Sequence, residues 1–199
     1  MAVALKQNSI EQLLQKPLIR SDEAKSLGVS TSLLNHYVKT GRLRRVGRGL
    51  YASSEHAPQV DFQWEELAYT VLSIPNGVVC YTTALILHGL SDEVARQYWI
   101  AVPHDTSIAK RPHVRIVRMR NHKLGTSKTK LGEVEIPIYD LERTLVEAFR
   151  ATSPDIAIKA LKQAFSNERK VKPSIPKMLD YAKKLRVKIE PYILTVTTA

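Results

Sequence analysis

Side chains that can bind DNA are concentrated between residues 30 and 52 of the chain. Asparagine can form two hydrogen bonds with adenine, serine and threonine can contact bases or phosphates, and lysine and arginine can reach phosphate or guanine. A short amphipathic segment comes first, and an arginine-rich segment follows it. The residues that we predict to contact DNA here are Thr31, Ser32, Asn35, His36, Lys39, Arg42, Arg44, Arg45 and Arg48.

The spacing of apolar residues places these polar side chains on one face of a helix. Four apolar residues recur at helical spacing, namely Leu33, Leu34, Tyr37 and Val38. Such a stripe predicts an amphipathic helix, with Ser30 as its N-cap and Gly41 beyond its last turn. We expect this helix to enter the major groove and to read bases with Ser32, Asn35, His36 and Lys39.

A glycine-rich turn predicts a hairpin directly after this helix. The turn Gly47–Gly49 (GRG) joins two short strands and places Arg48 at its tip. An arginine at that point can reach a neighbouring minor groove or its phosphates. We expect Arg44 and Arg45, like Arg48, to set affinity and position rather than to read bases. A solvated basic strand is the alternative interpretation.

The preceding segment completes the pattern of a winged helix-turn-helix. Ser9 and Gln12 have the spacing of a capping box at the start of a first helix. Residues 18–19 fit a short strand that pairs with the hairpin. A second helix is predicted to be capped by Ser21 and to end before Gly28, which leaves a short turn before the third helix.

Composition favours a nucleic-acid partner and a second domain. The 199 residues carry a net charge of +11, a balance that favours polyanionic partners. This length exceeds what a winged helix alone needs. Cys80, the single cysteine, cannot form an internal disulfide, and no apolar run is long enough to span a membrane. We therefore expect a cytoplasmic protein with no membrane partner.

We predict an α/β (α+β) fold, in which an N-terminal winged helix-turn-helix over residues 1–55 precedes a mixed α/β domain over residues 62–199. In the second domain, strands are expected at residues 78–80, 98–102, 114–119 and 134–139. Helices are expected at residues 141–150, 156–165 and 175–185. A further helix, capped by Thr82 or Thr83, is expected to reach Gly89. The polar segment from Lys123 to Lys130 predicts a mobile loop.

Several segments resemble the AbiEi family of antitoxins, in the same order along the chain. Residues 10–52 resemble the winged-helix domain of that family. Tyr81–Leu90 (YTTALILHGL) resembles its S-x-x-S/T-A-L-x-x-H-G-L helix, and Ile138–Leu145 (IYDLERTL) resembles a later segment. Trp99–Pro103 (WIAVP) and the basic strand near Arg115 also match the order of the family. The resemblance covers most of the chain.

This resemblance implies the antitoxin of a bacterial toxin–antitoxin operon whose toxin is a nucleotidyltransferase-like protein. Antitoxins of the family repress their own promoter through the winged helix. The partner would be double-stranded operator DNA, which we expect to contain inverted repeats. The C-terminal domain carries the antitoxic activity in that family, and direct contact between antitoxin and toxin stays an open alternative.

A second basic segment contains Arg115, Arg118 and Arg120, and it holds no acid between Asp105 and Glu133. One hypothesis is that these arginines extend the DNA contact beyond the wing. A second hypothesis is that they bind an acidic protein surface or RNA. The third is a solvated edge strand, where basic side chains oppose aggregation.

The remaining candidate residues favour structural roles. A histidine before glycine at a helix end, such as His88, is typical of a capping or core residue. Asp140 precedes a helix and can cap its free N–H groups, and we expect Arg143 to pair with Asp140 or Glu142. The scattered histidines lack zinc-ligand spacing, and phosphate-loop and nucleophile motifs are absent. We predict no metal, no cofactor and no enzymatic activity.

Three functions compete for this sequence. The preferred one is a DNA-binding antitoxin that represses its own promoter. The alternative is a winged-helix transcriptional regulator whose C-terminal domain senses a ligand or oligomerises. The third is an RNA- or protein-binding module whose wing is structural. Mutation of Asn35, Lys39 and Arg48 separates the first two from the third, because only the first two need these side chains to bind an operator.

Overall fold

The computed structural model describes residues 10–197, which divide into two compact units. The first unit contains the chain up to Pro75 together with Lys130–Glu135, and the second contains Asn76–Thr129 and the chain from Ile136 onward. Helices and strands together form a mixed α/β architecture, which confirms the predicted fold class. The predicted cap at Ser9 lies outside the described residues.

The first unit contains a helix-turn-helix followed by a hairpin. Its elements are residues 10–14 (α1), Leu18–Arg20 (β1), Ser21–Ser26 (α2), Thr31–Lys39 (α3), Leu43–Gly47 (β2), Leu50–Ser53 (β3), a 3₁₀ turn at Phe62–Trp64, and Glu65–Leu72 (α4). The strands form an antiparallel sheet in the order β1-β3-β2. Ile19 lies opposite Tyr51, which confirms the predicted pairing of the 18–19 segment with the hairpin.

Apolar residues from the helices and strands of this module share one core. Ile10 and Leu13 of α1, Ile19 of β1, Leu34 of α3 and Tyr51 of β3 belong to a single buried cluster. Burial of each large aliphatic side chain contributes about 1.5–3 kcal/mol. The core therefore holds α3 by one face and leaves its opposite face to solvent.

Left-handed glycines end the two helices of the helix-turn-helix. Gly28 (φ +75°) follows α2 and Gly41 (φ +79°) follows α3, as predicted. The predicted cap at Ser21 is wrong, because Ser21 is the first helical residue and Arg20 occupies the N-cap without a side-chain hydrogen bond. Arg20 is also the last residue of β1 and pairs with Leu50, so α2 begins directly from the extended strand.

The chain after Pro75 forms a five-stranded sheet and several helices. The elements are Val78–Val79 (β4), Tyr81–Leu87 (α5), Tyr98–Pro103 (β5), Val114–Met119 (β6), Thr126–Leu131 (β7), Val134–Tyr139 (β8), Leu141–Ala151 (α6), Pro154–Phe165 (α7), Ile175–Leu185 (α8) and Glu190–Thr197 (α9). The strand order is β6-β5-β4-β8-β7. β5 is antiparallel to β4 and parallel to β6, and β4 is parallel to β8.

The predicted mobile loop over Lys123–Lys130 is wrong, because Thr126–Leu131 forms the edge strand β7. Only Leu131 is buried in this strand, and its other side chains are polar, so its composition carries no strand signal. Pairing with β8 stabilises it instead. The helix α9 over Glu190–Thr197 is an element that the sequence did not predict.

The start of α5 also differs from the sequence prediction. The helix begins at Tyr81 with Cys80 at the N-cap, so neither Thr82 nor Thr83 caps it. The Thr83 hydroxyl oxygen instead accepts a hydrogen bond from the Trp99 backbone N–H at 2.9 Å. The Thr83 hydroxyl therefore bonds β5 instead of capping the helix, and this bond holds α5 against the sheet.

The helix α6 occupies the centre of the second unit. Leu145 and Val146 are fully buried in one cluster with residues of α5, α7 and α8. Arg143 and Glu147 lie on the same helix, and both are also fully buried. Charged side chains are seldom buried unless they are paired. The contacts of this pair are described below with the candidate site residues.

Candidate nucleic-acid interface

One face of α3 packs in the core of the first unit and the other is open to solvent. Leu34 is fully buried, and Leu33, Tyr37 and Val38 pack against the same cluster, as the helical spacing predicted. The Ser30 side-chain oxygen accepts a hydrogen bond from the Leu33 N–H at 3.2 Å, which confirms the predicted N-cap. The exposed face carries the predicted DNA-contacting residues Thr31, Ser32, Asn35, His36 and Lys39.

These five side chains form two neighbouring rows along α3. Thr31, Asn35 and Lys39 repeat every four residues, and Ser32 and His36 form the second row. None of them forms an ion pair within residues 10–197. An α-helix with its side chains is about 10–12 Å wide, which matches the roughly 12 Å width of the DNA major groove. The exposed face can therefore present free donors and acceptors to base edges.

The wing consists of β2, β3 and a turn that exposes arginine. A bulge between Arg45 and Gly47 precedes the turn, whose two residues are Arg48 and Gly49. Arg48 is exposed at the tip, as predicted. Gly49 has φ +68°, and a β-carbon at this position would lie 2.7 Å from the Ser21 side-chain oxygen. Both the backbone conformation and the close approach require glycine in this turn.

Two arginines of this module are paired with acids. The Arg42 guanidinium donates hydrogen bonds of 3.1 and 3.2 Å to the two carboxylate oxygens of Glu11, and it lies 5.2 Å from the centre of the Tyr37 ring. The hydrogen bond from Arg42 lowers the pKa of the Glu11 carboxyl. Arg44 pairs with Glu65 at 3.0 Å. The acids partly compensate both positive charges.

Arg45 and Arg48 differ from those two arginines because no ion pair within the described part of the chain compensates them. Both side chains are exposed. Because β2 packs against α3, the free arginines and the exposed face of α3 belong to one module. The sequence alone could not separate the paired arginines from the free ones, since Glu11 and Glu65 are 31 and 21 residues away from their partners.

The other predicted DNA-contacting residues, Arg115, Arg118 and Arg120, lie in the second unit on or just after the edge strand β6. The Arg115 guanidinium carbon is 4.4 Å from the centre of the Trp99 ring. The Arg118 Nε donates a hydrogen bond to the Thr106 carbonyl oxygen at 3.1 Å. Contacts within the unit therefore hold Arg115 and Arg118. Arg120 is exposed and has no ion pair among residues 10–197.

His88 and Asp140 make contacts inside the second unit. The His88 Nε2 lies 2.8 Å from the Tyr139 carbonyl oxygen. Burial lowers the pKa of His88, which favours the neutral imidazole with its N–H donated to that carbonyl. Asp140 accepts a hydrogen bond from the Arg143 N–H at 2.8 Å, which confirms its predicted N-cap position on α6.

The predicted pairing of Arg143 with Asp140 or Glu142 is wrong. Its guanidinium enters the core and pairs with Glu147 at 3.2 Å, whereas Lys177 pairs with Asp140 at 3.0 Å and with Glu142 at 2.9 Å. The Asp140 carboxylate caps the backbone of α6, and the Arg143 guanidinium extends away from Asp140 into the core. The i,i+4 spacing of Arg143 and Glu147 was the sequence signal for the observed pair.

Comparison with known proteins concerns the N-terminal segment. Residues 8–54 match the model of a family described as a transcriptional regulator, AbiEi antitoxin. This segment is AbiEi-like. The match includes α2, α3 and both strands of the wing, and it supports the resemblance seen in the sequence. No curated protein matches the chain.

The AbiEi-like segment supports a role as an antitoxin or transcriptional regulator. Within residues 10–197, no helix is both long enough and apolar enough to cross a membrane. The same residues contain no group of three His, Cys, Asp or Glu side chains placed to hold a metal ion.

Proposed function

We propose that the protein binds operator DNA through α3 and the wing and represses its own promoter. We further propose that it is the antitoxin, itself without catalytic activity, that counteracts a nucleotidyltransferase-like toxin. The observation that carries the proposal is the exposed polar face of α3 beside two uncompensated arginines, all within the AbiEi-like segment. Such a surface combines base readout with phosphate attraction.

The proposed reading element is the exposed face of α3. Residues near the N-terminus of a recognition helix contact base edges, which assigns Ser32 and Asn35 to the bases. The Asn35 amide can bond N6 and N7 of adenine, and a bidentate contact of this kind discriminates against other bases by about 1–3 kcal/mol. His36 and Lys39, nearer the C-terminus of α3, extend the contact toward neighbouring bases and phosphates.

The wing arginines are proposed to bind the DNA backbone. Arg45 and Arg48 have no acid partner in residues 10–197, so their full charge is available to phosphates or to a narrow minor groove. Arg42 and Arg44 share their charge with Glu11 and Glu65, and we assign them to positioning the module.

A binding assay with two kinds of variant tests the DNA proposal. The probe is a fluorescent duplex from the region directly upstream of the reading frame, compared with a scrambled duplex of equal length. Asn35→Ala should weaken binding to the upstream duplex about 5- to 150-fold and leave binding to the scrambled duplex unchanged. Asn167→Ala, an exposed asparagine outside the module, is the control.

The double variant Arg45→Gln/Arg48→Gln should instead weaken binding to both duplexes. Each lost phosphate contact reduces the slope of log K against log salt by about 0.9, so the slope should fall by about 2. Arg96→Gln removes one exposed arginine elsewhere and is the matched control. A slope change with Arg115→Gln would add β6 to the interface. Upstream-specific binding retained by an Asn35→Ala/Lys39→Ala/Arg48→Ala variant would refute the proposal.

The antitoxin proposal is tested in cells with the same full-length variants. The proposal expects a nucleotidyltransferase-like reading frame next to this one, and its absence would refute the antitoxin role. That reading frame is expressed from an inducible promoter, and the protein is supplied from a second promoter that it does not control. The Asn35→Ala variant should lose repression of a reporter driven by the upstream region and still protect growth. Failure of the unaltered protein to protect growth, at matched protein levels, would refute the antitoxic role and leave a repressor.

A further inference from the structure

A cleft in the second unit concentrates positive charge in a way that the proposed DNA interface does not explain. It has a volume of about 560 Å³, which is within the range of small-molecule sites. Residues at the end of β6, on α6 and at the end of α8 line it. Its exposed basic lining residues are Arg118, Arg120, Arg150, Lys184 and Arg186.

Few acids compensate these five charges. Lys184 pairs with Asp180 at 2.7 Å, and Arg150 pairs with Glu147 at 3.2 Å. Arg120 and Arg186 have no ion pair or side-chain hydrogen bond within residues 10–197. Like charges that converge without acids repel each other, so a bound anion would stabilise this arrangement.

The floor of the cleft is a buried charged pair. Arg143 and Glu147 line the cleft although both are fully buried. Within residues 10–197 the Arg143 Nε and one carboxylate oxygen of Glu147 have no hydrogen-bond partner, which is rare for buried polar atoms and is consistent with a bound water or ion at this place. Glu147 also binds Arg150 at 3.2 Å and thereby fixes one of the cations that face the cleft.

Two residues of the lining have a left-handed backbone. Tyr81 has φ +51° and Arg186 has φ +56°. This conformation is uncommon outside glycine and is an outlier for a bulky residue such as tyrosine. At Arg186 this conformation is the left-handed C-cap of α8, which is a common helix ending, whereas at Tyr81 it is strained backbone of the kind that clusters at binding and catalytic sites. The Tyr81 hydroxyl lies 3.4 Å from Arg150, so the strained residue also positions a cation of the cleft.

A second cavity adjoins the cationic cleft. It has a volume of about 860 Å³ and shares Met119, Arg120, Asn121 and Lys184 with the cleft. The residues that line only this cavity are Pro103, His104, Asp105, His122, Lys123 and Leu124, so one acid and one lysine are added there. The two cavities together therefore offer a cationic end and a larger, less charged end.

We propose that these adjoining cavities bind a nucleoside polyphosphate. The phosphates would lie against Arg120, Arg150 and Arg186, because guanidinium groups form short, paired hydrogen bonds with phosphate oxygens. The nucleoside would occupy the larger cavity beside Met119 and His104. Arg118, held by the Thr106 carbonyl, and Lys184, shared with Asp180, would contribute charge from the rim.

Isothermal titration of the full-length protein in 150 mM salt tests the proposal directly. The probes are ATP, GTP, the two nucleosides and inorganic tripolyphosphate. At least one triphosphate should bind saturably with one site per chain, and tripolyphosphate should bind at least tenfold more weakly. Equal affinity for tripolyphosphate would overturn the assignment of the nucleoside to the larger cavity. Absence of saturable binding by either triphosphate and by tripolyphosphate would overturn the site.

Matched variants assign the binding to the cleft. Arg120→Gln and Arg186→Gln remove uncompensated cations from the lining, and each should weaken triphosphate binding at least tenfold. Arg96→Gln, an exposed arginine outside both cavities, should leave the affinity within twofold. Equal losses in all three variants would show that binding follows net charge, and would refute the site. Thermal melting checks that each variant is folded.

A single-stranded oligonucleotide of 12 residues distinguishes nucleotide binding from nucleic-acid binding. It should not compete with the triphosphate at equal nucleotide concentration. If it binds more tightly and Arg120→Gln and Arg186→Gln weaken it tenfold, the cleft is a nucleic-acid backbone site and the proposal is wrong. The outcome of the DNA assay with the upstream duplex is independent of this result, because the residues that decide it, Asn35, Lys39, Arg45 and Arg48, lie in the AbiEi-like segment.

Discussion

Replacement of Arg143 by methionine should destabilise the second unit strongly, because this guanidinium is fully buried and bonded on several sides. It donates to the carbonyl oxygens of Asn121, at 2.7 Å, and of Leu124, and it pairs with Glu147 at 3.2 Å. Its carbon also lies 3.4 Å from the centre of the Tyr139 ring. Methionine fills similar volume but leaves these acceptors without their donor.

The expected loss is about 3–5 kcal/mol of the free energy of unfolding, which is the usual cost of removing one partner of a buried ion pair. The free energy of unfolding of a typical domain is about 5–15 kcal/mol, so this substitution would remove a large part of the stability. With a urea m-value near 2 kcal/mol per molar, the unfolding midpoint should fall by about 1.5–2.5 M.

Arg150→Met is the matched control for this prediction. Arg150 contacts the same Glu147 oxygen at the same distance of 3.2 Å, but its side chain is 45% exposed. A half-exposed pair contributes about 1 kcal/mol or less because solvent screens it. The comparison therefore contrasts a fully buried guanidinium that has several acceptors with a half-exposed one at the same distance from Glu147.

Urea denaturation followed by the fluorescence of one tryptophan per unit measures the effect. The chain has two tryptophans, Trp64 in the first unit and Trp99 in the second. In a Trp64→Phe background, Trp99 alone reports the unfolding of the second unit. A loss below about 1.5 kcal/mol for Arg143→Met, or a loss equal to that of Arg150→Met, would refute the argument that burial makes this pair expensive to break.

Three further changes have defined outcomes. Ser30→Ala should cost about 1 kcal/mol in urea unfolding followed by Trp64, because it removes the N-cap of α3. The control is Ser32→Ala, an exposed serine of the same helix whose side chain makes no hydrogen bond within residues 10–197. Gly49→Ala should lower the urea midpoint that Trp64 fluorescence reports for the first unit. Adding Ser21→Ala removes the close contact but not the strain of a left-handed alanine, so it should restore only part of the lost stability. His88→Asn should flatten the pH dependence of stability. Burial lowers the pKa of His88 in the folded state, so its contribution to stability is complete above about pH 6.5 and is lost as the pH falls toward the folded pKa. An unchanged slope between pH 5 and 7 in urea titrations would contradict the last prediction.

Local patterns in the sequence were sufficient for most elements of the fold. The apolar spacing of Leu33, Leu34, Tyr37 and Val38 predicted α3 and its exposed face, because a helix repeats every 3.6 residues wherever it packs. The bounds of β6, β8 and α8 agree with the residues predicted for them. α8 carries its own apolar periodicity, and β6 and β8 are short apolar-rich runs, so no tertiary information was needed to place them.

The sequence did not predict β7 and α9, because their own residues lack the apolar pattern that indicates a strand or a helix. β7 is polar except for Leu131, and it is a strand because β8 lies beside it with free hydrogen-bonding groups. The helix α9 contributes Ile193 to the core formed by α6, α7 and α8. Its helical conformation depends on that packing, which no local window contains.

The sequence by itself determined which side chains could contact DNA, because residue type and helical periodicity place Asn35 and Lys39 on the free face of α3. Only the tertiary structure decided which arginines are available. Glu11 and Glu65 come from distant parts of the chain to pair with Arg42 and Arg44, and Arg48 is left uncompensated. The cationic cleft has the same origin, since its lining comes from β6, α6 and α8. Charge compensation depends on distances in space, and those are set by packing.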